Sequence, residues 1–178
     1  RTFQITATFA SMTVRENVQV ALLSHHRRLA LPHRFAGGLY RREAEELIAL
    51  VGMGEQAGRP CAELAYGDLK RLELAVALAN APRLLLMDEP TAGMAPRERV
   101  ALMRLTAEIA RSRGIGVLFT EHDMDVVFEH ADRVMVLNRG ELIAQGTPAA
   151  VRRDAAVKAV YLGDGLLYDA HHRAEDEA

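Results

Sequence analysis

The stretch Leu84-Leu85-Leu86-Met87-Asp88-Glu89-Pro90 constrains this chain more than any other. Four apolar residues run straight into two adjacent carboxylates, and a proline ends the run. So short an apolar run reads as a strand buried on both faces, as in a parallel sheet covered by helices. The acids then stand at the carboxyl end of the strand, where open α/β sheets hold their ligands. Paired acids at that place suit a magnesium ion and an activated water. Taken alone, the same residues also fit a strand end with two solvated acids. The surrounding chain has to decide between the two.

Periodicity and caps supply that context. Ser11 or Thr13 can cap a helix carrying Val14, Val18, Ala21 and Leu22, with Glu16 near its positive end. A second helix is predicted over 39–51, stopped by Gly52. Residues 52–63, with Pro60 inside them, read as a loop. A third helix runs from Gly67 to about Asn80 with a stripe of Leu69, Leu72, Val76 and Ala79. Pro82 breaks it, and the apolar strand follows. Pro96 opens a long helix to about Arg113, with Val100, Met103, Leu105 and Ile109 inward and Gly114 at its end. Residues 115–120 form a second apolar strand, followed by Glu121-His122-Asp123. Then come a short helix over 124–130, a strand over 134–137, an Arg139-Gly140 turn, a strand over 141–145 and short helices over 147–162. Residues 1–11 read as a strand end and a loop. From Gly163 the apolar pattern is lost, and 164–178 reads as a disordered acidic tail. Alternating helices and strands predict a layered α/β fold with a parallel sheet.

Bulk properties narrow the function classes. A chain of 178 residues is long enough for one sizeable core. Its formal net charge of −2 offers no basic face for nucleic acid. Cys61 is the single cysteine, so no intrachain disulfide is possible, and a buried inert thiol is expected. No apolar run approaches the roughly 18 residues of a membrane span. His25, His26 and His33 share a basic loop that no acid or cysteine joins, so no metal site is expected there.

Two further marks stand beside Asp88-Glu89. Leu64-Ala65-Tyr66-Gly67-Asp68 lies at the mouth of the third helix, and His122 ends the next strand. Gln4 follows Arg1-Thr2-Phe3. In this order the motifs resemble the nucleotide-binding subunit of an ABC transporter, over residues 1 to about 163. Finer marks resemble the ATPases of bacterial branched-chain amino acid importers. They are Arg1-Thr2-Phe3-Gln4, Met12-Thr13-Val14-Arg15-Glu16-Asn17-Val18, Leu64-Ala65-Tyr66-Gly67, Glu121-His122-Asp123-Met124 and Tyr161-Leu162-Gly163. Urea-importer and lipopolysaccharide-export ATPases are close relatives.

The resemblance implies a P-loop NTPase-like parallel sheet covered by helices, with a helical signature subdomain over about 12–80. The catalytic core then covers 83–146, and C-terminal helices cover 147–163. It implies ATP and magnesium as cofactors. Asp88 would hold the ion through a water, Glu89 would be the general base, and His122 would meet the γ-phosphate and hold Glu89. Gln4 would contact magnesium or the lytic water. Leu64, Ala65, Tyr66, Gly67 and Asp68 would serve the ATP of an opposite subunit in a head-to-tail dimer. Ala92, Gly93, Met94 and Ala95 would form the D-loop between subunits. Membrane permease subunits, a second ATPase subunit (identical or not) and, indirectly, a periplasmic binding protein are the implied partners. The implied location is the cytoplasmic face of a bacterial inner membrane. Three residues depart from the commonest pattern: Ala65 for serine, Asp68 for glutamine and Ala95 for an acid.

No G-x-x-x-x-G-K-[ST] pattern occurs in the sequence. That pattern supplies the phosphate cradle and a magnesium hydroxyl. On the resemblance, the expectation is a chain truncated at its amino end, starting at the Q-loop. Such a chain would be inactive alone, and its strand over 84–88 would lack a neighbour. A non-hydrolysing docking or regulatory remnant is the alternative, and a soluble ABC ATPase of DNA repair or translation is a third reading.

Overall fold

The computed structural model describes residues 8–27 and 38–161. The chain divides into two compact units, residues 1–122 and 123–178.

In the first unit, helix α1 (Val14–His25) opens on a reciprocal cap. The Glu16 amide donates to the Thr13 hydroxyl at 3.2 Å, and the Thr13 amide donates to the Glu16 carboxylate at 2.7 Å. The Thr13 amide, and then the Thr13 hydroxyl that donates to the same carboxylate at 2.9 Å, hold the Glu16 carboxyl below its ordinary pKa. Helix α2 (Arg41–Leu50) packs beside α1. The segment predicted as a plain loop, 52–63, contains two single 3₁₀ turns, Gly54–Gln56 and Cys61–Glu63. It is tied to the start of α1, because the amides of Val14 and Arg15 donate to the carbonyls of Arg59 and Ala57. These bonds satisfy amino-terminal amides that the helix itself cannot pair. Helix α3 (Tyr66–Leu78) completes the layer. Val14, Val18, Leu22, Ile48, Val51, Leu72 and Ala75 are fully buried among these helices, and Cys61 is buried as expected. Each large aliphatic side chain buried there contributes about 1.5–3 kcal/mol. On α3 the buried residues are Leu72, Leu74, Ala75 and Leu78, while Leu69 and Val76 of the predicted stripe are partly buried.

Strand β1 (Leu84–Asp88) leads to helix α4 (Pro96–Arg113), and β2 (Gly116–Thr120) returns parallel to β1. Pro96 occupies the first turn of α4. Gly114 closes the helix at φ 64°, a left-handed turn open to glycine without penalty. A parallel pair needs a long crossover, and α4 provides it. The register runs from Leu84 opposite Gly116 to Asp88 opposite Thr120. Two expectations are corrected here. β1 has a neighbour along its whole length. It is also not buried on both faces: Leu85 faces the helical core at 8% exposure, whereas Leu84 and Leu86 are 54% and 47% exposed. The physical reason is that all the described helices packing on the pair lie on one side, with Leu85, Met87 and Val117 in their core.

In the second unit, Asp123 caps helix α5 (Met124–His130). Strands β3 (Val134–Asn138) and β4 (Glu141–Gly146) form an antiparallel hairpin. Its turn places Arg139 and Gly140 at φ 49° and 85°, the paired positive angles that suit the twist of a two-residue hairpin. Helices α6 (Pro148–Arg153) and α7 (Ala155–Tyr161) follow. Val134, Val136, Val151 and Val157 are the buried centre of this unit. Among the described residues, no helix is long and apolar enough to cross a membrane.

Candidate functional site

The ends of β1 and β2 deliver two short polar runs to one rim, Asp88-Glu89 and Thr120-Glu121-His122. Because Asp88 and Thr120 are register partners, their side chains meet, and the Thr120 hydroxyl donates to Asp88 Oδ1. The Glu89 amide continues the ladder by donating to the Thr120 carbonyl at 3.0 Å. Glu89 then turns sharply, at φ 44°. Left-handed backbone costs a residue with a Cβ about 1–2 kcal/mol. Neighbouring bonds fix it there, since the Ala92 amide donates to the Glu89 carbonyl at 3.1 Å. The turn aims the Glu89 carboxylate outward, 44% exposed, with Oε1 3.9 Å from His122 Nδ1. That separation is too long for a hydrogen bond, so the two form an ion pair only when the imidazole is protonated.

Glu121 follows β2 as Glu89 follows β1, but it turns inward. Its Oε1 accepts both the amide of Thr91, at 2.9 Å, and the Thr91 hydroxyl, at 2.6 Å. Thr91 is buried, at 1% exposure. This pair closes the loop after β1 onto the end of β2. Glu121 Oε2 is buried with no partner among the described residues.

The 91–96 turn also meets the mouth of α3. The Tyr66 hydroxyl donates to the Ala92 carbonyl at 3.2 Å. Gly93 sits at φ 76°, and a Cβ there would lie 3.5 Å from the Tyr66 ring. A Cβ on Gly67 would lie 3.2 Å from Glu98 Oε1 on α4. Ala65 caps α3 without a side-chain bond, so its own side chain leaves the first amides of this helix unanswered. Asp68 is committed elsewhere: its Oδ2 accepts from Gln56 Nε2 at 3.2 Å. A cleft of about 80 Å³ is lined by Ala65, Gly67, Asp68, Arg71, Met94 and Glu98.

The expected residues thus gather in two places. Asp88, Glu89 and His122 share the strand rim. Residues 65–68 and 92–95 share the α3 mouth, and Leu64 is buried behind it. Gln4 and His33 lie outside the described residues. Sequence reasoning missed Thr120, Glu121 and Thr91 as partners of the site. The available signal was that Thr120-Glu121 ends its strand as Asp88-Glu89 ends the other.

A magnesium ion needs only one or two protein carboxylates, with waters and substrate phosphate oxygens completing six positions. Among the described residues no cluster of three or more acids, histidines or cysteines forms a ready-made cage. Asp88, one carboxylate at an exposed strand end held through a single oxygen, fits the sparse donor set that magnesium takes.

Comparison with known proteins assigns the family. The ABC transporter family model matches residues 1–92. A second model, branched-chain amino acid ATP-binding cassette transporter, matches residues 141–166. The chain belongs to the ABC transporter ATP-binding family. The high-affinity branched-chain amino acid transport ATP-binding protein LivG of Escherichia coli is 38% identical over 175 residues, covering 92% of this chain and 67% of LivG. BraF of Pseudomonas aeruginosa is 38% identical over 176 residues, with the same coverages of 92% and 67%. Among solved structures, cbiO1 from Clostridium perfringens, part of the ABC transporter complex cbiONQ, superimposes with a TM-score of 0.70 at 27% identity, over 89% of this chain and 61% of that one. An ATP-binding cassette of an ABC transporter gives a TM-score of 0.74 at 28% identity, over 90% and 67%. This ABC cassette chain therefore spans about two thirds of the length of its relatives.

Membership makes it an ABC-type ATPase by family, with ATP and magnesium as the family's cofactors. The match from residue 1 to residue 92 overturns the expectation of an amino-terminal truncation. It overturns with it the expectation, drawn from the same missing pattern, that the chain is inactive alone. Lack of the G-x-x-x-x-G-K-[ST] pattern in these residues carries no conclusion about where the protein begins.

Proposed function

We propose that this protein is the ATP-hydrolysing subunit of an importer for branched-chain amino acids. The observation that carries the substrate class is the match of residues 141–166 to the branched-chain cassette model, a segment separate from the general ABC match. Asp88 holds magnesium, which neutralises charge on the phosphates. Glu89 orients the attacking water and takes its proton, a role suited by an exposed carboxylate with no hydrogen bond among the described residues. His122, across 3.9 Å, meets the terminal phosphate and steadies Glu89. Gln4 contacts magnesium or the water. The α3 mouth, residues 64–68, presents backbone amides and a helix dipole to phosphate of the ATP on a second subunit. Residues 92–95 lie beside it as the D-loop. The partners are membrane permease subunits, a second ATPase subunit and, through the permease, a periplasmic binding protein. The site of action is the cytoplasmic face of the membrane.

Reconstitution tests this reading. The protein is placed in vesicles with its permease subunits and binding protein, and ATP turnover is measured with and without leucine. Leucine-stimulated turnover that Glu89→Gln abolishes, with ATP binding retained, is the expected result. Turnover unchanged in Glu89→Gln sinks the assignment of the base; stimulation by urea and not by leucine sinks the substrate class.

A further inference from the structure

Tyr66 stands at the first position of α3 and is 47% exposed, yet its hydroxyl has a partner within the chain. It reaches across 26 residues of sequence to the carbonyl of Ala92. The Ala92 amide, on the other side of that residue, donates to the carbonyl of Glu89 at 3.1 Å, and the Glu89 amide donates to Thr120 at 3.0 Å. Ala92 is thereby held at both ends, its carbonyl by Tyr66 and its amide by the residue at φ 44°. Packing supports it from the side. The Tyr66 ring lies against Gly93, at φ 76°, where an added Cβ would rest 3.5 Å from it. Lys70 Nζ sits 5.5 Å from the ring centroid and is itself held by Glu73 at 3.1 Å.

We infer that Tyr66 is a positioning residue that fixes the left-handed turn of Glu89 from within the same subunit, through Ala92. The inference rests on the proposed role of Glu89 as general base. A left-handed non-glycine residue persists only where its surroundings over-determine it. Pro90 and the Thr120 bond hold one side of Glu89; on the other, the Tyr66 bond anchors Ala92, whose amide closes the turn on the Glu89 carbonyl. Its hydroxyl thus acts on Glu89, while the amides around it face phosphate.

Tyr66→Phe removes the hydroxyl and keeps the ring. Two measurements on the full chain decide the matter. Amide hydrogen exchange of the peptide spanning 89–95 should speed up severalfold in Tyr66→Phe, with α1 and α2 unchanged. Exchange unchanged at 89–95 overturns the inference, whatever the protein hydrolyses. In the reconstituted transporter, kcat should fall about tenfold with KM for ATP constant. A raised KM with constant kcat overturns it also, and makes the hydroxyl a nucleotide contact. Were the wild type to show no turnover sensitive to Glu89→Gln, the assignment of Glu89 would fail, while the exchange measurement would still decide whether Tyr66 fixes the turn.

Discussion

Glu89 and Glu121 occupy equivalent places, each the first residue after one of two paired parallel strands. Their surroundings make them opposites. Glu121 accepts two hydrogen bonds from Thr91 and has an oxygen out of reach of solvent. Glu89 is strained at φ 44°, and its carboxylate is 44% exposed with only a 3.9 Å approach to His122. One acid closes the rim, and the other stays open to solvent, as the proposed base must. A carboxylate already holding two donors has fewer lone pairs to orient a water. The comparison teaches that position after a strand does not assign a role; the side chain's partners do.

The sharpest way to break this contrast is Glu89→Gln. Turnover should fall by about 10²–10⁴ with thermal stability unchanged, as read by ATPase assay and calorimetry. A protein that unfolds while its residual activity persists would put Glu89 in the structural role. Glu121→Ala should do the reverse, lowering stability by about 1–3 kcal/mol in urea titration, because Thr91 is left buried with unanswered donors. Next, Thr91→Val removes one of the two bonds at about 1 kcal/mol. Combined with Glu121→Ala it should be non-additive by about 0.5 kcal/mol or more, since the two changes share one contact. Additivity would mean the pair is not coupled. Glu89→Gly should raise stability by up to about 1 kcal/mol by releasing the left-handed strain, while turnover is lost.

The smallest effect concerns a third glutamate with an internal role. Glu16 has its pKa lowered by the Thr13 amide and hydroxyl. Its contribution is therefore present above the ordinary carboxylate pKa and fades as pH falls through the lowered folded value. Glu16→Gln should flatten that acid limb of the stability curve; an unchanged limb would show that the cap adds nothing.

Much of this contrast was out of reach of the sequence. The Asp88-Glu89 run, Pro96 and Gly114 as helix limits, the 124–130 helix and the Arg139-Gly140 turn were legible because each depends on local chemistry. So were the α3 mouth and the family resemblance. The inward turn of Glu121 was not, because its partner lies 30 residues away and meets it only across paired strands. Nor was the answer to Asp68, which stands where glutamine is usual. Its carboxylate is held by Gln56 from a segment that read as featureless loop. The exposed face of β1 was missed for a related reason. Four consecutive apolar residues carry no alternation, so the sequence could not say that Leu84 and Leu86 face away from the helices that bury Leu85.

The sequence by itself determined which residues could do chemistry and where strands and helices stop. Caps, prolines, glycines and apolar period act over a few residues, so their consequences are written locally. Only the tertiary structure decided which of two glutamates is structural, and that Tyr66 reaches the turn holding the other. Those outcomes depend on register and on packing between distant segments, which no local pattern encodes.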